Sequence, residues 1–218
     1  MRVKSKQYAV IGLGRFGESV ARTLSALGHE VLAVDENQEL VDALAPYVTQ
    51  AVQADACDEN ALKALAIQAF DAVIVSIGQN ERSSILITVL CKELGVPCVI
   101  AKAVDDLHGK ILTKVGADRV IFPEREMGQR LARSLSRPSI LEMMELDKAH
   151  QLVEIALPLR WAGHTLAQLN VRRQYGISVL AIHREGKFIV SPGADIPLLS
   201  GDSLLVLGRQ EQISFIDS

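Results

Sequence analysis

Aromatic residues are scarce in this chain: Phe, Tyr and Trp together make up 4% of 218 residues, with a single Trp. A surface that grips single-stranded nucleic acid by base stacking needs more of them. Charge of one sign is missing too. The formal net charge is -3, which leaves no general footprint for a phosphate backbone, and no helix-turn-helix or basic arm is found. No apolar run approaches the roughly 18–20 residues that span a bilayer. The segment Met1–Lys6 is not followed by a signal-peptide core. These absences predict a cytoplasmic protein. Cysteine is sparse and unpaired: Cys57, Cys91 and Cys98 form no C-x-x-C pair. Reduced, mostly buried thiols fit that pattern better than a disulfide framework or a metal site.

The chain is 49% hydrophobic, mostly through Ala, Val, Leu and Ile. Such a composition suits parallel sheets covered by helices. The organising stretch is Tyr8-Ala-Val-Ile-Gly-Leu-Gly-Arg-Phe-Gly17, a buried strand that runs into a G-x-G-x-x-G turn and a helix closing at Gly28. Gly12 permits the tight turn, Gly14 lets a phosphate approach the backbone, and Gly17 lets helix and strand pack closely. The free N–H groups and positive dipole end of that helix point where a pyrophosphate would sit. A second strand, Glu30–Val34, ends in Asp35, about 20 residues past the turn, where an acid accepts bonds from ribose hydroxyls.

Strand and helix patterns then alternate to residue 122, with strands at Gln50–Ala54, Asp71–Ile77, Pro97–Ala101 and Asp118–Phe122. Six strands in this rhythm predict a Rossmann-like, doubly wound α/β fold with sheet order 3-2-1-4-5-6. Its ligand crevice lies between Gly12–Gly17 and Ser76–Gly78. After Pro123 the rhythm breaks. Glu124–Leu135 reads as helix, Arg137-Pro138 as an interruption, and Ser139–Leu146 as a second helix with apolar Ile140, Leu141, Met143 and Met144. The Met pair suits either a partner surface or core filling. From about Gln151 shorter strands follow, with a hairpin signal at Arg184-Glu-Gly186, and make a small α+β domain. The expected division is 1–123, 124–146 and 147–218, the last too small to stand comfortably alone, so association through it is expected.

The whole pattern resembles the RCK-domain family (regulator of potassium conductance), in particular the KtrA/TrkA-type regulators of bacterial potassium uptake. The resemblance is carried by Ala9–Gly17, Val31–Asp35, Ile100–Ala103, Gly116-Ala-Asp-Arg-Val-Ile-Phe-Pro-Glu124 with Met127-Gly128, Leu169–Gly176 and Gly201-Asp202. The glycine turn alone is unspecific; its combination with Gly-Ala-Asp-x-x-x-x-Pro-Glu and the small trailing domain is specific. The resemblance implies a homodimer assembling into a homo-octameric ring beneath a membrane-embedded channel subunit, with exchange of ATP and ADP changing the ring's shape.

It also implies site residues. Arg15 would sense the terminal phosphate of ATP, or else is a solvated arginine at a helix start. Gly12, Gly14, Phe16 and Gly17 surround the phosphates. Asp35 holds the ribose and would repel a 2′-phosphate, which argues against NADP. Asp55 with Ala56, and Ile77, Gly78 and Gln79, frame the adenine by position, although Asp55 serves equally to cap the next helix. Ala54 stands where the family often has Gly. Lys102 and His108 match positions that approach the nucleotide; a lone His on a helix is otherwise solvated or packed. Glu124 matches a glutamate that helps bind a divalent cation or Na⁺ beside the phosphates, or is simply a first-turn glutamate favoured by the helix dipole. In some members cyclic di-AMP binds between paired C-terminal domains. Thr165, Leu166, Asn170, Arg172 and Arg173 match the lining of that cleft. The alternative for the two arginines is solvation or pairing with Glu145, Asp147 or Glu154.

A rival reading is a small NAD-dependent oxidoreductase. It lacks an acid–base cluster, since only His150, His164 and His183 remain after residue 123. An NAD(H)-binding redox sensor is the other. A binding module rather than an enzyme is expected. The adenosine diphosphate part shared by ATP, ADP and NAD(H) leaves the choice of ligand open.

Overall fold

The computed structural model describes residues 5–136, 140–147, 149–214 and 216. The chain divides into two compact units, with the boundary between Met127 and Gly128. In the first unit, β1 (Gln7–Ile11), β2 (Glu30–Asp35), β3 (Gln50–Gln53), β4 (Ala72–Val75), β5 (Val99–Lys102) and β6 (Arg119–Ile121) form one sheet in the order 3-2-1-4-5-6. Every pairing is parallel, as the strand–helix rhythm requires. The helices between them are α1 (Arg15–Ala26), α2 (Gln38–Leu44), α3 (Glu59–Ala64), α4 (Glu81–Glu93) and α5 (Asp106–Lys114), and α6 (Pro123–Ser136) follows β6.

Strand residues alternate between two apolar layers. Ala9, Ile11, Val73 and Val75 belong to the larger cluster with Leu62, Ile87 and Leu112. Val10, Val31, Ala33 and Ile74 belong to the other with Leu13, Ala21 and Val41. A sheet covered on both faces needs strands that are apolar throughout, which is why β4 is buried along its whole length.

The second unit is an antiparallel sheet in the order β10-β9-β11-β8-β7, built from β7 (Ile140–Glu145), β8 (His150–Ala156), β9 (Ser178–Arg184), β10 (Lys187–Val190) and β11 (Ser203–Arg209). Short helices α7 (Leu166–Leu169) and α8 (Val171–Tyr175) precede β9, and α9 (Gln210–Ser214) follows β11. Its core gathers Val153, Ile155, Trp161, Ile182, Leu204 and Val206.

One expectation is corrected here. The segment read as a second helix over 139–146 is the edge strand β7, paired antiparallel with β8. The physical reason is a register shift between Ile140 and Glu142. The irregularity resets the in–out alternation, so Ile140 and Met143 face the core while Leu141 and Met144 are exposed. Apolar residues at 140, 141, 143 and 144 therefore imitate helical spacing. The Met pair is split: Met143 packs, Met144 does not. The expected interruption at Arg137-Pro138 lies outside the described residues.

Candidate functional site

The crevice is assembled by the ends of β1, β2 and β4. Gly12 adopts φ +92°, and its N–H donates to the Val34 carbonyl at 2.8 Å. A side chain at Gly12 would also press on Ile77 Cγ1 at 3.0 Å. One on Gly17 would collide with the Gly12 carbonyl and come within 2.5 Å of Ser76 Oγ. Ser76 closes the turn from the β4 side, donating through its hydroxyl to the Ile11 carbonyl at 3.2 Å and to the Gly12 carbonyl. Gly14 has open space around it.

Helix α1 begins on Gly14 with no side chain capping it. The next four helices are each capped by an Asn or Asp: Asn37, Asp58, Asn80 and Asp105 accept N–H bonds at the starts of α2, α3, α4 and α5. The first-turn N–H groups of α1 thus face the crevice without the carboxylate or amide that occupies the same place elsewhere. Arg15, the first residue of α1, is exposed and makes no ion pair among the described residues.

Asp35 does more than the sequence suggested. Its Oδ2 accepts from Leu13 N–H at 2.6 Å and its Oδ1 from Asn37 N–H at 2.9 Å, so the carboxylate ties the glycine turn to the end of β2. A carboxylate offers about four lone-pair sites, which leaves acceptor capacity for a ribose. Asp55 is exposed and its Oδ1 accepts from Cys57 N–H at 2.8 Å, closing a local turn ahead of α3. The side chains of Phe16 and Ala56, expected at the ligand, pack into the two apolar layers. Ile77 is partly buried against the same core, while Gln79 is exposed.

Lys102 and Glu124 are brought together. β5 and β6 are in register at Lys102 and Ile121, so the chain turning from β6 into α6 delivers Glu124 to the end of β5. Lys102 Nζ and Glu124 Oε1 lie 2.5 Å apart. The same Nζ is 3.1 Å from where a side chain on Gly78 would begin, which places the cation at the crevice edge. The hydrogen bond from Lys102 holds the Glu124 carboxyl below the usual carboxylate range. No group of three or more His, Cys, Asp or Glu gathers as a metal site among the described residues. The Glu124 carboxylate, where a cation beside the phosphates was expected, faces the Lys102 ammonium.

His108 differs more. Its ring is fully buried, and Nδ1 accepts from Val104 N–H at 3.4 Å. Its Nε2 has no partner among the described residues. The ring is packed, as the alternative for a lone helical His has it.

In the second unit Thr165 caps α7. Its Oγ1 accepts from Gln168 N–H at 3.2 Å while Gln168 Oε1 accepts from Thr165 N–H at 2.8 Å. Leu166 packs on the core. Both are committed to the fold, which leaves Asn170, in the left-handed region at φ 45°, and exposed Arg172 and Arg173 as the polar surface. Among the described side chains, neither arginine pairs with Asp147 or Glu154. Asp147 is held by His150 at 3.0 Å, Glu154 by His183 at 2.8 Å and by Ser203, and the Glu145 side chain lies outside the described residues.

Family comparison agrees with this architecture unit by unit. The TrkA-N domain model matches residues 8–123 and the TrkA-C domain model residues 151–216. The chain is 44% identical to Ktr system potassium uptake protein A of Bacillus subtilis (strain 168), over 97% of this chain and 96% of that one. It is 44% identical to Ktr system potassium uptake protein C of the same organism, over 96% and 95%. Among solved structures, the RCK domain of GsuK superposes with TM-score 0.69 at 18% identity, covering 99% of this chain and 48% of that chain. The GsuK channel bound to NAD does so with TM-score 0.68 at 18% identity, covering 99% and 40%. With both models matched and relatives aligned over nearly their full length, this chain belongs to the KtrA/TrkA family, the RCK-domain regulatory subunits of bacterial potassium uptake.

Proposed function

We propose that the first unit binds ATP and ADP in exchange at the Gly12–Gly17 turn, and that this exchange gates a membrane-embedded potassium channel or transporter subunit. The observation that carries the reading is the start of α1, uncapped where α2 to α5 are capped, open at Gly14 and flanked by exposed Arg15. Free N–H groups, a positive dipole end and a guanidinium suit a polyphosphate. Asp35 supplies the ribose acceptor and Lys102 a further cation at the edge. The relatives named for potassium uptake give the partner class. The family resemblance gives the assembly, a homodimer built into a homo-octameric ring on the cytoplasmic side of that partner. Such a ring responds to a nucleotide only if ATP and ADP differ in their affinity for its shapes.

A cation beside the phosphates would need nucleotide oxygens as its other ligands and would compete with Lys102 for Glu124. In the second unit, Asn170, Arg172 and Arg173 of two copies related by a two-fold axis would set four arginines around one gap, suited to the two phosphates of cyclic di-AMP. No catalytic residues are assigned: the reading is a regulatory binding module. Calorimetric titration of the purified chain with ATP, ADP and NADH tests it. Binding of both ATP and ADP supports the exchange. Tight NADH binding with neither ATP nor ADP bound overturns it in favour of an NAD(H) sensor. Cyclic di-AMP titrated in the same way tests the second unit.

A further inference from the structure

The first turn of α6 carries a second ion pair beside the one at the crevice. Arg125 follows Glu124, and successive residues on a helix project about 100° apart, so the two reach different neighbours. Glu124 meets Lys102 of β5, and Arg125 NH1 meets Asp106 Oδ1 at 2.5 Å on the first turn of α5. The Arg125 guanidinium also lies 3.8 Å from the centre of the Phe122 ring. That ring is seated against the backbone of α5: a side chain on Gly109 would come within 2.5 Å of Phe122 Cζ. Gly109, Phe122, Arg125 and Asp106 thus form one stack that anchors the start of α6 on α5. Glu124 needs such an anchor. Its own side chain is 69% exposed, and the tie that reaches across to another strand is its bond to Lys102.

We propose that Asp106 and Arg125 are positioning residues for the nucleotide site: by fixing the first turn of α6 they hold Glu124, and through it Lys102, at the crevice edge beside Gly78. An ammonium has three N–H donors, so a lysine pinned there by one carboxylate keeps two for a phosphate. The inference rests on the reading that a nucleotide polyphosphate binds in that crevice. The Asp106–Arg125 pair is exposed, with 76% and 46% of its side chains open to solvent. Such pairs contribute little to stability, so removing it leaves the fold intact and its effect appears in binding.

The test is a double-mutant cycle read by ATP calorimetry on the full chain, with Asp106→Asn, Arg125→Gln and Lys102→Met singly and in pairs. Lys102→Met is expected to weaken ATP binding. Asp106→Asn and Arg125→Gln are each expected to weaken it by up to about fivefold, the range of an exposed ion pair. In the Lys102→Met background neither should cost anything more, because they act only through Lys102. Asp106→Glu should restore wild-type affinity. A purely structural role gives the same loss in both backgrounds, and that additivity, or no loss at all, overturns the proposal while leaving the nucleotide site standing. Unchanged affinity in Lys102→Met overturns the assignment of Lys102 and the positioning role with it.

Discussion

At the scale of single residues, Arg15 and Cys91 show how surroundings set chemistry. Arg15 stands exposed at the uncapped start of α1, with no ion pair among the described residues, where in the proposed reading a third phosphate would extend beyond the two at the glycine turn. Arg15→Ala leaves the Asp35 tie and the turn intact. ATP affinity should therefore fall about tenfold, the scale of one charge-assisted bond, with ADP affinity nearly unchanged; equal losses measured by calorimetry would remove the role. Cys91 lies in the main apolar layer, and burial pushes its thiol up to about 12. The thiolate is the reactive form, so Cys91 should resist a thiol reagent in the native protein. Cys57 and Cys98, both partly exposed, should react first. Counting fast and slow thiols before and after denaturation checks this, and three equally fast thiols would contradict it.

Elements respond to turns and to what locks their ends. The hairpin joining β9 and β10 turns on Glu185 and Gly186, with φ 49° and 76°. Both positions of such a turn need positive φ, which a glutamate adopts at a cost and an asparagine adopts more easily. Glu185→Asn should stabilise the second unit by about 0.5 kcal/mol, seen as a raised melting temperature. At the start of β11, Asp202 is buried and takes two bonds from Arg184, at 2.8 and 2.7 Å, with Leu199 N–H at 2.8 Å. The Arg184 guanidinium in particular holds the Asp202 carboxyl below its ordinary range. A carboxylate depressed in the folded state contributes stability above its unfolded value, about pH 4, and loses it as pH falls through the lower folded value. Asp202→Asn should thus cost about 2 kcal/mol at pH 7, below the roughly 3–5 of a fully buried pair because Arg184 is partly hydrated. That cost should shrink in melts taken below pH 4. A cost that stays constant with pH would show that the ion pair is not its source.

For the whole molecule, two separate cores make two separate reporters. The single Trp of the chain is Trp161, buried in the second unit, so its fluorescence follows that unit alone. A ligand confined to the native first unit stabilises it by about 2.7 kcal/mol at a hundred times its dissociation constant. ATP should raise the calorimetric transition of the first unit and leave the Trp161 fluorescence transition in place, whereas cyclic di-AMP should move the fluorescence transition. A Trp161 transition that ATP shifts equally would show that the two units unfold as one.

The sheet order 3-2-1-4-5-6, the glycine turn and the acid at the end of β2 are legible in the chain because they depend on local periodicity, on glycine stereochemistry and on the right-handed crossover. The limit appears wherever a residue's neighbour comes from a distant segment. A register shift turned β7 into an imitation of a helix, since apolar spacing alone cannot tell a bulged strand from helical turns. His108 reads as a polar helix residue, yet packing places its ring at zero exposure. Lys102 and Glu124 each match a family position, but their ion pair depends on the β5–β6 register, and Arg125 with Asp106 carries no sequence signal at all. Sequence set the order of the strands and the chemistry at their ends. Which charges meet there was decided by the tertiary structure, because ion pairs between segments depend on strand register and helix phase together.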